Sequence, residues 1–264
     1  MKKIIALALA AMMLALCFAG CGAAGSKKET VVVGYTIYAP MNYLDENNEL
    51  IGFDTDLAKA VFENLGYEVI FQEIDWNSKY TDLQSGAIDC VWNGFTCNTA
   101  DDDGVLRSDK VDFSYRYMEN RQVIVAKADA KIASAADLVG KVAAVESGSA
   151  GETYAGSFDG VTTKGFIKQT DCLFEVNAGT VSFAVVDAQL AKSYAGKGDY
   201  ADLVIVDALS SDVEYYAIGF QKGSSLTGKV SGQLEKLAAD GTIGALAEQY
   251  GVATTAITDF SDQK

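Results

Sequence analysis

The 264-residue chain has no histidine, a single proline and little positive charge. Without imidazole, the Ser-His and Cys-His pairs that activate nucleophiles are excluded, and so are imidazole metal sites. Lys and Arg number 21 against 36 Asp and Glu, which gives a net charge of −15 at pH 7. A polyanion of this size repels phosphate backbones, so nucleic acid is not an expected partner.

Cysteine is also scarce, and the five present do not form a disulfide framework. Cys17 and Cys21 belong to the N-terminal apolar segment, which leaves Cys90, Cys97 and Cys172. Cys90 and Cys97 are seven positions apart on one extended stretch, so their Cα atoms lie roughly 20 Å apart, too far for a bridge. We predict three free core thiols, with a disulfide among them as the alternative.

The N-terminus has the three regions of an export signal. Lys2 and Lys3 precede the apolar residues 4–18, and "FAGC" at 18–21 resembles a bacterial lipobox with Phe18 in place of the more usual Leu. This resemblance implies a signal peptide at 1–20, acylation of Cys21 with palmitate, and a lipidated linker at 21–29. We therefore expect an extracytoplasmic protein that is lipid-anchored to the cell membrane. Simple secretion and a retained membrane anchor are the alternatives.

Short apolar runs that alternate with helical periodicity predict a mostly parallel α/β architecture. The segment 52–66 is a predicted helix, with Asp54 as its N-cap and Gly66 ending it. Strands are predicted at 30–36, 68–74, 88–92, 122–126, 142–145, 181–186 and 203–206, and further helices at 134–139, 171–178, 188–194, 227–239 and 242–250.

The chain that remains after the predicted signal peptide is long for a single core and long enough for two lobes. No Pro-rich or Gly-rich linker interrupts the body of the chain. Two extended segments, 118–125 and 213–220, are candidates for connecting the lobes. If the chain passes between the lobes twice, the first lobe contains both ends of the mature chain.

An ordered set of motifs covers nearly all of the predicted mature chain. They are "GFDTDLAKAV" (52–61), "WNSKYTDLQSGAID" (76–89), "NGFT" (93–96), "VDFSYRY" (111–117), "DLVGKVAAVESGSA" (137–150), "FAVVDAQLA" (183–191), "YYAIGFQKGSSL" (215–226) and "LAADGTI" (237–243). Together they resemble the polar amino-acid-binding proteins of ABC importers, extracellular solute-binding protein family 3, which have the type II periplasmic-binding-protein fold.

This resemblance implies an α/β protein of two lobes, each with a mixed sheet, joined by two hinge strands. Lobe 1 would comprise 30–118 and 218–264, and lobe 2 would comprise 119–217. The cleft between them would close over a free amino acid, which a monomeric receptor hands to an ABC permease. The resemblance implies no cofactor, no metal and no catalytic residue.

Arg107 is the predicted partner of the ligand's carboxylate. A guanidinium can donate two parallel charged hydrogen bonds to a carboxylate. Arg107 stands five residues before Asp112 of "VDFS", as the family pattern requires, but eleven after Thr96, so "NTADDDGVL" contains an insertion of about six residues. Arg121 is the fallback, and a surface arginine paired with neighbouring aspartates is the structural alternative.

The inserted run of Asp101, Asp102, Asp103 and Gly104 is interpreted as a solvated turn. Calcium loops also use clustered aspartates, but they alternate ligands with spacers and end in a bidentate Glu. That pattern is missing here.

Five further positions are predicted to hold the two poles of the amino acid. Ser149 and Ala150 match the family's carboxylate contacts, where a turn opens a helix whose N–H groups face an anion. Thr96 would add a hydroxyl group that helps Arg107 to hold the carboxylate, and Gly94 a backbone carbonyl beside the ligand, although "NGFT" is also typical of a strand end with a turn. Asp187 ends a buried strand and would receive the ammonium group. Its alternative role is to cap the following helix.

Three positions face the predicted side chain of the ligand. Tyr38 and Trp76 match the two aromatic positions that sandwich this side chain in the family, with core packing as the alternative for each. Glu146 indicates a side chain that is cationic or a hydrogen-bond donor. The competing functions are a dehydratase-like enzyme on the same fold, with Glu146 as general acid, and a ligand-sensing domain.

Overall fold

The computed structural model describes residues 29–263. The predicted signal peptide, the lipidation site Cys21 and linker residues 21–28 lie outside the described residues. The strands in chain order are β1 Thr30–Tyr35, β2 Tyr43–Leu44, β3 Leu50–Ile51, β4 Glu68–Glu73, β5 Cys90–Val91, β6 Asp112–Phe113, β7 Met118–Asn120, β8 Gln122–Lys127, β9 Val142–Glu146, β10 Thr162–Phe166, β11 Phe183–Asp187, β12 Leu203–Val206, β13 Glu214–Tyr216 and β14 Gly219–Phe220.

The α-helices of this part of the chain are α1 Phe53–Asn64, α2 Lys79–Ser85, α3 Arg107–Lys110, α4 Ala150–Gly156, α5 Gln169–Ala178, α6 Ala188–Tyr194, α7 Leu226–Ala239 and α8 Thr242–Gln249. Short 3-10 helices include Trp76–Ser78 and Ala135–Leu138.

Two five-stranded sheets organise two lobes. The first has the order β4-β1-β5-β14-β6, with β1 parallel to β4 and β5, and β14 antiparallel to β5 and β6. The second has the order β10-β9-β11-β8-β12, with β9 parallel to β10 and β11, and β8 antiparallel to β11 and β12. Both sheets are therefore mixed, as predicted.

A two-stranded antiparallel ribbon of β7 and β13 connects the sheets, with Asn120 opposite Glu214. The chain passes from the first sheet to the second through β7 and returns through β13, because β14 joins the first sheet. These are the two hinge strands that the sequence predicted. The lobe limits of 30–118 with 218–264, and of 119–217, stay a prediction.

Helix α1 forms from an amphipathic repeat in which Leu57, Val61 and Phe62 are fully buried. Phe62 meets Trp92 edge to face, with ring centroids 6.0 Å apart. The prediction that Asp54 caps this helix is wrong: Gly52 is the N-cap, and Asp54 lies inside the first turn. Its buried carboxylate instead accepts hydrogen bonds from the Gly94 N–H, at 2.9 Å, and the Tyr117 hydroxyl, at 2.8 Å.

Other differences from prediction occur where elements are short. The predicted helix 134–139 is a 3-10 turn at Ala135–Leu138, held by a capping box of Ser134 and Asp137. The predicted strand 88–92 has ladder pairing only at Cys90–Val91. Strand β10 was not predicted, because its largely exposed "TTKGF" sequence carries no apolar run.

The described cysteines are all free, as predicted, although Cys97 is only partly buried. No helix within residues 29–263 is long and apolar enough to cross a membrane. Within the same range, no group of three or more Cys, Asp or Glu side chains has the arrangement needed to hold a metal ion.

Candidate functional site

A small cavity lies where the two lobes face each other. It is lined by Trp76, Asn93, Gly94, Thr96 and Arg107 on the side of the first sheet, and by Glu146, Ser149, Ala150, Gln169 and Asp187 on the side of the second. Most of these residues follow or end strands β4, β5, β9 and β11. Open α/β sheets bind ligands outside the carboxyl ends of their strands, which is where these residues lie.

The side chain of Arg107 is 1% exposed and lies at the start of α3. Its Nε donates to Asp101 Oδ1 at 2.7 Å, which fixes one edge of the guanidinium group. Its Nη1 and Nη2 make only long contacts of 3.4 Å, to the carbonyl oxygens of Thr96 and Gly148. Because a guanidinium has five N–H donors, the Nη edge keeps donors for an anion in the cavity.

Arg121, the fallback, is exposed and donates to the Ser211 carbonyl oxygen at 2.6 Å. It is not among the lining residues. The structure therefore favours Arg107 as the guanidinium of this site. The alternative of an arginine paired with a neighbouring aspartate is also partly right, since Arg107 binds Asp101, but Arg107 is buried and not on the surface.

The acidic insertion has two different parts. Asp102 and Asp103 are exposed, as predicted for a solvated turn. The prediction is wrong for Asp101, which binds Arg107, Lys110 and the Tyr80 hydroxyl group. Although burial opposes it, the charges of Arg107 and Lys110 lower the pKa of Asp101 to about 2.

Ser149 and Ala150 lie at the junction of the second sheet and α4. Ser149 is the N-cap residue, and its hydroxyl group accepts a hydrogen bond from the Glu152 N–H at 3.1 Å. Gly151 allows this turn to approach β11, because a Cβ there would lie 2.9 Å from the Val185 carbonyl oxygen.

Asp187 ends β11 and is 5% exposed. Its Oδ1 accepts from Asn120 Nδ2 and Gln122 Nε2, both at 2.6 Å, and its Oδ2 accepts from Gln169 Nε2. Burial raises the pKa of this carboxyl group. Asp187 occupies the N-cap position of α6 but makes no side-chain capping bond, so the structure does not support the capping alternative.

Glu146 ends β9 and is 3% exposed. Burial and the nearby Asp187 raise its pKa to about 8. Its Oε1 is buried without a hydrogen-bond partner in the described part of the chain. A buried carboxyl oxygen left in this way is costly unless a ligand satisfies it.

Trp76 lines the cavity and meets Phe95 edge to face, with ring centroids 5.2 Å apart. Tyr38 differs from its prediction, because it is not among the lining residues. Its hydroxyl group pairs with that of Tyr216 at 2.7 Å, and its ring lies directly behind Gly94. Gly94 has no side chain and so forms the cavity wall in front of Tyr38.

Asn93 and Gln169 line the cavity, and Lys79 bridges the cleft through the Gly148 carbonyl oxygen; sequence reasoning missed all three. Asn93 precedes Gly94 in "NGFT", and Lys79 stands inside the motif that begins at Trp76, so both had a signal. Gln169 had none, because the helix was predicted to start at residue 171. Lys79 is 2% exposed, and burial together with the charge of Arg107 lowers its pKa to about 7.

Several contacts cross the cleft and hold it closed around the cavity. Lys79 Nζ and Arg107 Nη2 both donate to the Gly148 carbonyl oxygen, at 3.0 and 3.4 Å. At the rim, Thr153 Oγ1 donates to Asp102 Oδ1 at 2.6 Å. Arg107 and Asp187 thus lie in one buried cavity on opposite lobes.

Comparisons with known proteins support the two-lobed fold described above and identify the family of this chain. The arginine-binding extracellular protein ArtP of Bacillus subtilis (strain 168) is 30% identical over 259 residues, which cover 95% of this chain and 98% of ArtP. An ancestral arginine-binding protein bound to arginine is 34% identical with a TM-score of 0.77, covering 84% of this chain and 98% of that one. An ancestral arginine-binding protein bound to glutamine is 35% identical with a TM-score of 0.77, covering 86% of this chain and 99% of that one. Residues 31–253 match the model of the bacterial extracellular solute-binding proteins, family 3, and the chain belongs to that family.

Proposed function

We propose that this protein is the extracytoplasmic receptor of an ABC importer and binds a free amino acid in the cavity between its lobes. The observation that carries the proposal is the placement of Arg107 and Asp187, both buried, on opposite sides of one small cavity. A zwitterion has one negative and one positive pole, which these two groups match. A ligand that touches both lobes favours the closed state by its differential affinity.

The carboxylate of the amino acid binds the Nη edge of Arg107, the Thr96 hydroxyl group, and Ser149 and Ala150 at the start of α4. The ammonium group binds Asp187, with the Gly94 carbonyl beside it. Trp76 packs against the ligand's side chain, and Tyr38 supports this wall from behind Gly94.

The charges of the lining favour a ligand whose side chain is cationic or ends in a hydrogen-bond donor. Arg107 and Asp187 are matched by the two poles of any amino acid, which leaves Glu146 unmatched. The unpartnered Oε1 of Glu146 is a hydrogen-bond acceptor that such a side chain can satisfy. Two relatives are named as an arginine-binding and a probable histidine-binding protein, and both of these amino acids have a side chain of this class.

The predicted lipid on Cys21 holds the receptor at the outer surface of the membrane. A single acyl chain gives reversible binding, and stable anchoring takes more than one. The loaded, closed lobes present their joint surface to the permease, which accepts the amino acid there.

Titration calorimetry of the delipidated protein against the twenty amino acids and cystine tests the proposal. Asp187→Ala should abolish binding of every amino acid that the wild type binds, because the ammonium group loses its partner. Trp76→Ala should change the preference among them. Asp171→Ala, an exposed aspartate on α5, is the matched control and should bind as the wild type does. Unchanged affinity in Asp187→Ala would refute the assigned cavity.

Binding without turnover separates this function from a dehydratase on the same fold. Glu146 is the group that could act as a general acid, because burial and the nearby Asp187 raise its pKa. Mass spectrometry after incubation with each bound amino acid should recover that amino acid unchanged. Accumulation of a dehydrated product would contradict the receptor assignment.

A further inference from the structure

We propose that Glu214, on the hinge ribbon, shares a proton with Asp187 and is a positioning residue for the ligand's ammonium group. Asn120 and Gln122 link the two acids. The proposal rests on the proposed amino-acid receptor function and adds to it a residue outside the cavity lining.

Two side-chain amides each bridge both acids. Asn120 Nδ2 donates to Asp187 Oδ1 and to Glu214 Oε1, both at 2.6 Å. Gln122 Nε2 donates to the same two oxygens, at 2.6 and 2.7 Å. An amide nitrogen has two N–H donors, so all four are used by the pair of acids.

Strand register produces this arrangement. Glu214 on β13 lies opposite Asn120 on β7, and Asp187 on β11 lies opposite Gln122 on β8. Residues 120 and 122 are two positions apart in extended chain, so their side chains point to the same side. The acid of the second sheet and the acid of the hinge thereby meet at one pair of amides.

The two carboxyl groups are buried together without a cation in contact. Asp187 and Glu214 are 5% and 3% exposed. None of the ion pairs within residues 29–263 includes either of them. Two buried like charges that share donors do not both ionise readily, so one proton stays with the pair until a cation arrives.

Several groups face the pair from the surrounding elements. They are Arg107 on α3, Cys97 after β5, Tyr38 after β1, Tyr216 on β13 and Glu146 on β9. Burial and Asp187 raise the pKa of Glu214 to about 7, in agreement with a shared proton near neutral pH.

The ammonium group of a bound amino acid supplies the missing cation. It stabilises both carboxylates as anions, so the shared proton leaves to solvent as the ligand binds. By linkage, affinity must then fall as the pH falls below about 7, with a limiting slope of about tenfold per pH unit for one proton.

Calorimetry with L-arginine and L-glutamine at pH 6 and pH 8 tests this, in buffers of different ionisation enthalpy so that released protons are counted. In Glu214→Gln the second acid is gone, Asp187 ionises more easily, and the loss of affinity from pH 8 to pH 6 should be about tenfold smaller than in the wild type. This reduction in the pH dependence of affinity should be the same for both amino acids, because both carry the same α-ammonium group. Glu119→Gln, an exposed acid on β7, is the matched control and should keep the wild-type profile.

A second variant makes the test independent of how Glu214→Gln folds. Glu146→Gln removes the other buried acid of the cavity, so a proton that L-glutamine releases on binding to this variant at pH 6 comes from the Asp187–Glu214 pair. No proton release there, or a wild-type pH profile in folded Glu214→Gln, would overturn the inference. If the wild type bound none of the twenty amino acids and no cystine, the receptor function itself would fail; if it bound others only, those replace L-arginine and L-glutamine in this test.

Discussion

At the residue scale, the environment of Arg107 explains why one arginine of the chain suits a carboxylate. Asp101 holds its Nε, and the ring of Phe95 lies 5.4 Å from its guanidinium carbon. These contacts orient the planar group before any ligand arrives, which reduces the entropy lost on binding.

Arg107→Ala should weaken amino-acid binding by about 2–5 kcal/mol, the usual cost of truncating one member of a buried charged pair. Arg107→Lys should restore only part of this, because an ammonium group cannot donate two parallel bonds. Calorimetry on both variants checks the prediction. Arg121→Ala is the control and should bind amino acids with the wild-type affinity. A large loss of affinity in Arg121→Ala would mean that Arg121, and not Arg107, binds the carboxylate.

Glu146 provides a second prediction at this scale. Glu146→Gln should weaken binding of L-arginine by about 1.5–3 kcal/mol, the worth of a hydrogen bond to a charged group, and change L-glutamine binding much less. Competition between the two amino acids for wild type and variant measures the difference. An equal loss for both would mean that Glu146 does not face the side chain.

At the scale of elements, the turn after β5 sets the distance between the cavity and the core. Gly94 has φ of +59°, and a Cβ there would lie 2.7 Å from Tyr38 Cε1 and 3.1 Å from the Tyr216 ring. Asp54 fixes the same turn by accepting the Gly94 N–H. The turn therefore depends on a glycine for both its dihedral angle and its space.

Gly94→Ala should lower both stability and affinity, whereas Gly104→Ala is a control with the same backbone requirement. Gly104 also has a positive φ, +75°, but no atom lies within 4 Å of its added Cβ. Both variants lose about 1 kcal/mol to backbone strain, and only Gly94→Ala displaces Tyr38. Urea unfolding and calorimetry separate the two effects; equal behaviour of the two variants would contradict the close packing at Gly94.

At the scale of the whole molecule, buried acids outside any ion pair make stability depend on pH. Burial is the main cause that raises the pKa of Asp54 and of Glu214 to about 7, and that of Glu146 to about 8. Unfolded carboxyl groups titrate near pH 4, so between pH 5 and 7 the folded state binds more protons. Their stabilising contribution is complete below about pH 4 and is lost as the pH rises through 7 to 8.

The ligand-free protein should therefore resist urea better at pH 5 than at pH 7, by about 1.4 kcal/mol or more, the value of one pKa unit for one group. Asp101, with a pKa near 2, changes the free energy of unfolding only below pH 5. Lys79, with a pKa near 7, adds stability as the pH rises, but only above pH 7. Glu146→Gln should show a smaller difference in the free energy of unfolding between pH 5 and pH 7. Greater stability at pH 7 in the wild type would contradict the burial of these acids.

The motifs predicted much of this molecule because each is local. A strand end followed by a turn, such as "NGFT" or "ESGSAG", places its residues at the edge of a sheet wherever that sheet lies. Eight of the nine predicted ligand-binding positions accordingly line the cavity, although their individual roles stay predictions. Short elements such as β10 and α3 were missed, because a few residues carry too little periodicity to be recognised.

By itself, the sequence determined the alternation of strands and helices, the two crossings between lobes, and the residues that stand at strand ends. Only the tertiary structure decided that Asp101 binds Arg107, that Tyr38 lies behind Gly94, and that Asp187 shares its hydrogen-bond donors with Glu214. The shared donors depend on the register of β7 with β13 and of β8 with β11, and the other two contacts depend on how separate segments of one lobe pack together. They join residues up to 94 positions apart, and no local pattern encodes the direction of one side chain relative to another at that separation.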